Sequence, residues 1–248
     1  MNYKKKIVTR ILLVVLAVIV FTLFFNLRVP TKQGVNYKVS TLSIPLYLKA
    51  FDFIDRNLHY KYLAHEVTLS AHNKKEKVLQ IFAWTRQNIK TDIPSNYPIV
   101  DDHVWHIIVR GYGVADQIND VFTTLCVYAG IPAFWSYISP KGALARFPIS
   151  YVEVNNRCLV FDLYYGNYFK NKDGEIASVD DIINDRSLIN QANNKPIISG
   201  IDYVRYFENL KPVDEMGFLR AQTQMPILRI YYEIKKLLRF PEKIIGKQ

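Results

Sequence analysis

Apolar and polar positions divide the chain into one apolar run, a helical part and a strand-rich part. The apolar run is uncharged from Ile11 to Asn26. Apolar residues then recur at helix spacing within 44–57, 62–70, 75–89 and 114–129. Gly130 and Pro132 follow the last of these stretches, as expected where a helix ends. The pattern predicts several helices before the middle of the chain.

Strand patterns follow the last of these helices. Segments 133–138, 149–154 and 158–163 are rich in β-branched and aromatic residues. Asn155, Asn156 and Arg157 separate the second and third segments, and asparagine tolerates the left-handed backbone of a tight hairpin turn. Helices first and antiparallel strands after them predict an α+β fold.

Positive charge surrounds the apolar run. Lys4, Lys5, Lys6 and Arg10 precede it and Arg28 follows it, so the charges can lie at the two interfaces of a bilayer. The positive-inside rule predicts a cytoplasmic tail at 1–10, a transmembrane anchor at 11–27 and an extracytoplasmic domain. Residues 28–40 are expected to form a polar linker. A cleaved signal peptide is the alternative, although residues 26–30 lack a small-x-small cleavage pattern.

Charge and cysteine content restrict the partners. The formal net charge is +10 and is spread along the chain, which favours a solvated basic surface over nucleic-acid binding. The two cysteines, Cys126 and Cys158, are expected to be buried thiols, with a disulfide as the alternative. From Pro226 to Phe240 the sequence predicts a basic amphipathic helix that Pro241 ends. We expect it to pack on its own domain; a membrane surface or a partner would suit the same pattern.

A glycine turn precedes the helix at 114–129. Gly111-Tyr112-Gly113-Val114-Ala115-Asp116-Gln117, with Gly130-Ile131-Pro132 at the helix end, resembles the nucleophile segment of transglutaminase-like proteins, which share the papain-like cysteine-protease fold. In that family a cysteine begins the helix, where the helix dipole favours the thiolate. In this chain Ala115 occupies the cysteine position.

The strands continue the resemblance. Ile149-Ser150-Tyr151-Val152-Glu153-Val154 is similar to the family's His-x-Trp-x-Glu-Val strand, with Ile149 at the histidine position. The next strand ends in Asp162, which matches the family's aspartate, and the run 173–181 is similar to the continuation of such domains. The resemblance implies a transglutaminase-like domain at 41–190, a C-terminal extension at 191–248 and no cofactor.

The histidines exclude the family's chemistry independently of any alignment. All five, at positions 59, 65, 72, 103 and 106, precede Ala115, so the order cysteine, histidine, aspartate cannot be built. Cys126 lies eleven residues further along the helix, about 16 Å away at 1.5 Å per residue. Loss of such a nucleophile costs on the order of a millionfold in rate.

Other residues could bind a ligand near the former active site. They are Asp116, Gln117, Tyr151, Asp162, Tyr164 and Tyr165. For Asp162 the alternative is a hydrogen-bonded strand end, and for the aromatic residues it is packing under a loop. His103 and His106, with Asp101 and Asp102, carry no established zinc spacing, so we expect no metal site.

These observations favour a membrane-anchored pseudoenzyme that binds an envelope peptide, glycan or protein. An enzyme with rebuilt hydrolase chemistry is the alternative, with catalytic groups drawn from Asp162, Glu153, Asp116 and Tyr151. A third hypothesis is a scaffold within a membrane complex, such as one for the export of surface polysaccharide.

Overall fold

The computed structural model describes residues 2–35, 38–93, 95–97, 100–101, 103–213, 216, 218–238 and 244–245. The chain forms two compact units, one from residues 1–55 with 100–102 and one from residues 56–99 with 103–248. Helices precede an antiparallel sheet, which confirms the α+β prediction.

The first unit contains a long apolar helix and a small sheet. Helix α1 covers Asn2–Phe25, and its stretch Lys6–Phe25 is long and apolar enough to cross a membrane, a property that signal sequences share. Strands β1 (Arg28–Val35) and β2 (Lys38–Pro45) form an antiparallel hairpin, and β3 (Val100–Asp101) pairs with β1. Strands therefore occupy most of 28–40, for which the sequence predicts a linker.

Helix α2 covers Leu46–Val67 without interruption, whereas the sequence predicts separate helices at 44–57 and 62–70. No glycine or proline lies between Leu46 and Val67, and Tyr60 in the predicted gap is fully buried. The Tyr60 hydroxyl accepts a hydrogen bond from the Trp105 backbone N–H at 2.7 Å. Burial of this side chain in the second unit favours a continuous helix.

Three more helices lead into the main sheet. They are α3 (Lys74–Asn88), α4 (Val104–Arg110) and α5 (Ala115–Tyr128). Asn73 caps α3 because its side chain accepts a hydrogen bond from the Glu76 N–H at 2.9 Å. Gly111, with φ of 71°, ends α4 in the left-handed conformation. The predicted helix at 114–129 is confirmed as α5.

The main sheet has the strand order β4-β5-β6-β7, and each pair of neighbouring strands is antiparallel. Its strands are β4 (Ala133–Ile138), β5 (Phe147–Val154), β6 (Arg157–Asp162) and β7 (Asn167–Tyr168). Asn155 and Asn156 adopt φ of 52° and 60° between β5 and β6. The predicted hairpin and its turn are confirmed.

Two hydrophobic clusters cover the two faces of this sheet. One contains α3, α4 and α5 residues with Val152, Val154 and Phe161 of the sheet. The other contains Ile149 and Tyr151 with residues from 177–210. Alternation of side chains along β5 therefore places α5 on one face and the C-terminal segments on the other.

The C-terminal part consists of short elements. They are α6 (Val179–Asn184), β8 (Ile197–Ile198), β9 (Ile201–Asp202), β10 (Phe218–Leu219), α7 (Pro226–Leu237), β11 (Ile244–Ile245) and 3₁₀ helices at Arg186–Gln191, Tyr203–Asn209 and Arg220–Gln224. Tyr203, Tyr206 and Phe207 belong to the second cluster, so the predicted extension from 191 contributes to the core. Phe240 and Pro241, the predicted end of α7, lie outside the described residues.

Candidate functional site

The first turn of α5 carries the position at which the family places its nucleophile. Ala115 is the first helical residue and is half-buried. Gln117 braces this turn: its Oε1 accepts hydrogen bonds from Arg110 Nη2 at 2.8 Å and from the Val114 N–H at 3.2 Å. The neighbouring Asp116 Oδ1 accepts a hydrogen bond from the Gln117 N–H at 2.9 Å. The turn is well ordered by polar contacts, but the Ala115 methyl group cannot act as a nucleophile.

A buried hydrogen-bond chain links this turn to β5. Asn119, one turn after Ala115 and fully buried, donates from Nδ2 to the Ala115 carbonyl at 2.7 Å. Its Oδ1 accepts a hydrogen bond from Ser150 Oγ at 2.5 Å. Ser150 is also fully buried, so this contact fixes α5 against the strand that carries Ile149.

Ser150→Ala should lower the free energy of unfolding by about 1–2 kcal/mol, because Asn119 Oδ1 would lose its buried donor. Ser136→Ala on neighbouring β4 is the matched control, since Ser136 is exposed and should change stability little. Urea unfolding of the two variants measures the difference. Equal effects would mean that the Asn119–Ser150 contact contributes nothing specific.

Ile149 and Asp162 lie on adjacent strands. Ser150 pairs with Phe161, and the same register extended by one residue places Ile149 opposite Asp162. Opposed residues in an antiparallel pair face the same side of a sheet. Both residues are fully buried, and Ile149 packs in the cluster that covers the face opposite α5.

The carboxylate of Asp162 accepts hydrogen bonds from three groups. Oδ1 accepts from the Tyr165 N–H at 3.0 Å, and Oδ2 accepts from Tyr203 Oη at 2.8 Å and from Asn167 Nδ2 at 3.2 Å. Burial raises the pKa of Asp162 to about 6, although hydrogen bonds from Tyr165, Tyr203 and Asn167 act in the opposite direction. Asp162 therefore links the turn that contains Tyr165 to the 3₁₀ helix that begins at Tyr203.

The 3₁₀ helix Tyr203–Asn209 covers the Ile149–Asp162 face. Tyr203 is 1% exposed, and its ring contacts Phe147 and Tyr165 with centroid separations of 6.0 and 6.1 Å. Burial, with the adjacent Asp162 charge, also raises the pKa of Tyr203 well above its ordinary value. This 3₁₀ helix therefore covers Ile149 and Asp162, the positions at which the family has its histidine and its aspartate.

The predicted cleft residues divide into buried and half-exposed groups. Tyr151 is buried and stacks on Phe134 with ring centroids 4.9 Å apart, so with Asp162 it is removed from solvent. Tyr164 and Tyr165 are half-buried and contact each other edge to face at 4.9 Å. Asp116 and Gln117 are half-buried in α5. Four of the six candidates thus retain access to a ligand.

Arg86 supports the turn after Asp162. Its Nη1 donates to the carbonyls of Leu163 at 3.0 Å and Tyr164 at 2.7 Å. Gly166 lies against the guanidinium with φ of +76°, and a Cβ there would be 2.9 Å from Arg86 Nε. The left-handed backbone and this close approach both favour glycine at position 166.

Sequence patterns did not predict several residues that support the candidate site. Tyr203 lies 41 positions after Asp162, so no local pattern indicates this partner, whereas Asn167 lies only five positions after it. Arg86 lies 77 positions before Leu163, whose carbonyl accepts its hydrogen bond. The sequence does offer a sign of Asn119, because it is a polar residue four positions after Ala115 and the helix that follows it is buried.

The described residues hold no group of three or more histidine, cysteine, aspartate or glutamate side chains that could bind a metal. The His103 and His106 rings are 5.9 Å apart, while Asp102 and the Asp101 side chain lie outside what the structure describes. Cys126 and Cys158 are free thiols, the first buried and the second half-buried. Burial raises the pKa of both, that of Cys158 to about 12 with help from the Glu153 and Asp180 charges.

Residues 61–144 match the family model described as the transglutaminase-like superfamily. This part of the chain includes the glycine turn and α5, and it ends before β5. The chain therefore contains a transglutaminase-like domain. A comparison with curated proteins gave no significant match.

Three solved structures are similar over part of the chain. A candidate cysteine protease from Cytophaga hutchinsonii is 17% identical with a TM-score of 0.36, over 44% of this chain and 37% of that one. A candidate protease from Parabacteroides distasonis is 16% identical with a TM-score of 0.36, over 55% and 36%. A TGase is 12% identical with a TM-score of 0.31, over 54% and 43%. The chain spans less than half the length of each.

Proposed function

We propose that this protein is a membrane-anchored transglutaminase-like pseudoenzyme that binds an envelope peptide, glycan or protein. The observation that carries the proposal is the state of Asp162: the family's orienting carboxylate is buried and hydrogen-bonded to Tyr203, Asn167 and Tyr165. Ile149 opposite cannot act as a base and Ala115 cannot act as a nucleophile. On this proposal the chain keeps the fold of the family and lacks the nucleophile and the base of its chemistry.

Rebuilt carboxylate chemistry receives no support from the contacts of Asp162. Its hydrogen-bond donors are an amide, a hydroxyl and a backbone N–H, and burial rather than a second carboxylate raises its pKa. Paired acid and base groups would have to lie close enough to share a substrate. A binding role therefore fits the site better.

The anchor and the sidedness rest on α1. Its stretch Lys6–Phe25 is long and apolar enough to cross a bilayer, and four positive charges precede Ile11. On this basis our proposal has the N-terminus in the cytoplasm and the second unit on the extracytoplasmic side. The half-exposed residues Asp116, Gln117, Tyr164 and Tyr165 are the proposed binding surface.

The protein should not turn over amide or ester substrates, and Ala115→Cys should restore only a reactive thiol. A cysteine there begins a helix, so its pKa should fall and iodoacetamide should label it at neutral pH. Ala143→Cys is the matched control, because Ala143 is also half-buried but lies in a loop. Mass spectrometry after timed labelling compares the two variants.

Turnover of these substrates by the unaltered protein would overturn the pseudoenzyme proposal, and Cys126→Ala and Cys158→Ala would then show whether a native thiol is responsible. Equal labelling of the two new thiols would show that the α5 terminus does not activate a nucleophile. The binding role is tested separately by a photo-crosslinking amino acid at Asp116 or Tyr164 in native membranes, with Lys172, whose side chain is 85% exposed, as the control position. Adducts at neither candidate position would count against this surface.

A further inference from the structure

Helix α7 leaves an apolar stripe uncovered. Ile227, Ile230, Tyr231, Ile234 and Leu237 recur at helix spacing and are 81%, 60%, 50%, 51% and 81% exposed. No residue of α7 is buried. The expectation that this stripe packs on its own domain is therefore wrong, and five large side chains face solvent together.

The opposite side of α7 attaches it to the second unit. Tyr232 stacks on Phe218 with ring centroids 5.0 Å apart and an interplanar angle of 18°. Leu228 is half-buried on the same side of the helix. These contacts fix the rotation of α7 about its axis, so the apolar stripe points outward as a consequence of packing.

Positive charge accompanies the stripe. Lys235 Nζ lies 5.2 Å from the Tyr231 ring centroid, at the edge of the apolar face. Arg229 Nη2 forms an ion pair with Glu233 at 2.6 Å. Residues 226–248 contain six lysine and arginine residues and two glutamates. An apolar face with a tyrosine and cations at its border matches the acyl chains and anionic headgroups of a bilayer surface.

We propose that α7 lies in the interface of an anionic lipid bilayer, with its apolar stripe buried among the acyl chains. A second copy of the chain is a poorer occupant: twelve residues span only about 18 Å, and a stable interface buries about 1,200–2,000 Å². The inference rests on the proposed anchor in one respect, since α1 would keep α7 at high local concentration near the same membrane.

The test uses the full chain in vesicles. A polarity-sensitive fluorophore is attached at pH 7 to Ile230→Cys, and to Leu144→Cys, a loop site that is 97% exposed, as the control. Vesicles of phosphatidylcholine, with or without phosphatidylglycerol, contain lipids with a quencher in the acyl chain. We expect about half of the emission at position 230 to be lost with phosphatidylglycerol and almost none at 144.

Ile230→Asp/Ile234→Asp, labelled at Ile227→Cys, should abolish this quenching without unfolding, because both substituted side chains are exposed. Ile197→Asp, at a site 71% exposed on β8, should leave it intact. Absence of quenching in both lipid mixtures overturns the inference, and so does a blue shift without lipid quenching, which would mean that protein covers the stripe. Carbonate-resistant flotation reports α1 separately, so flotation without quenching leaves the anchor standing and removes only the role of α7.

Discussion

Gly166→Ala is expected to lower the free energy of unfolding by about 3 kcal/mol. About 1 kcal/mol comes from forcing a side chain into φ of +76°. The remainder comes from Arg86, because a Cβ 2.9 Å from its Nε would displace the guanidinium from the Leu163 and Tyr164 carbonyls. Urea unfolding followed by tryptophan fluorescence measures the loss.

Gly174→Ala separates the two contributions. Gly174 has φ of +77°, and nothing lies within 4 Å of the position its Cβ would take. It should therefore lose only the backbone part, about 1 kcal/mol. In an Arg86→Ala background the cost of Gly166→Ala should fall to the same value. Equal losses at both glycines in the natural background would show that the Arg86 contact is not strained by a Cβ.

The second large effect is a pH dependence of stability that Asp162 causes. Its folded pKa is about 6, above the ordinary value of 3.8, so the folded state binds its proton more tightly than the unfolded state does. The stabilisation is complete below about pH 4 and is lost as pH rises through about 6. The shift corresponds to about 3 kcal/mol between these limits.

Asp162→Asn removes the titrating group, so the difference in unfolding free energy between the natural protein and this variant should fall as pH rises from about 4.5 to 7.5. Other acids act elsewhere. Glu175 and Asp185 have pKa values below their ordinary range, because hydrogen bonds from Lys75 and Ser187 respectively favour the charged forms. The stabilisation that these two carboxylates provide is lost as pH falls through their folded pKa values. Their effect on stability therefore lies at lower pH than that of Asp162 and has the opposite sign. A difference that stays constant across the range would contradict the raised pKa of Asp162.

Local signals predicted the parts of the fold that local chemistry determines. The glycine turn, the helix that Gly130 and Pro132 close, and the Asn155-Asn156 turn were all visible because each depends on backbone conformation or helix periodicity. They also carried the resemblance, and the family match covers the first two of them.

Long-range packing determines the parts that the sequence did not reveal. Tyr203 follows Asp162 by 41 positions and lies in a short 3₁₀ helix, which has no periodic pattern of its own. The β1–β2 hairpin joins polar segments, so it lacks the alternation by which a half-buried strand is recognised. Asp162 itself was predicted, whereas its role depends in part on Tyr203, which only the folded chain brings near.

The distribution of tryptophan makes the second unit spectroscopically separable from the first. All three tryptophans, Trp84, Trp105 and Trp135, lie in the second unit. Trp135 is 3% exposed, and its indole N–H donates to Asp120 Oδ1 at 2.6 Å, so its emission should change sharply when the core opens. Circular dichroism at helix wavelengths senses both units, whereas fluorescence follows one. If the circular dichroism and fluorescence transitions have different midpoints, the hairpin and the apolar helix unfold as a separate cooperative element.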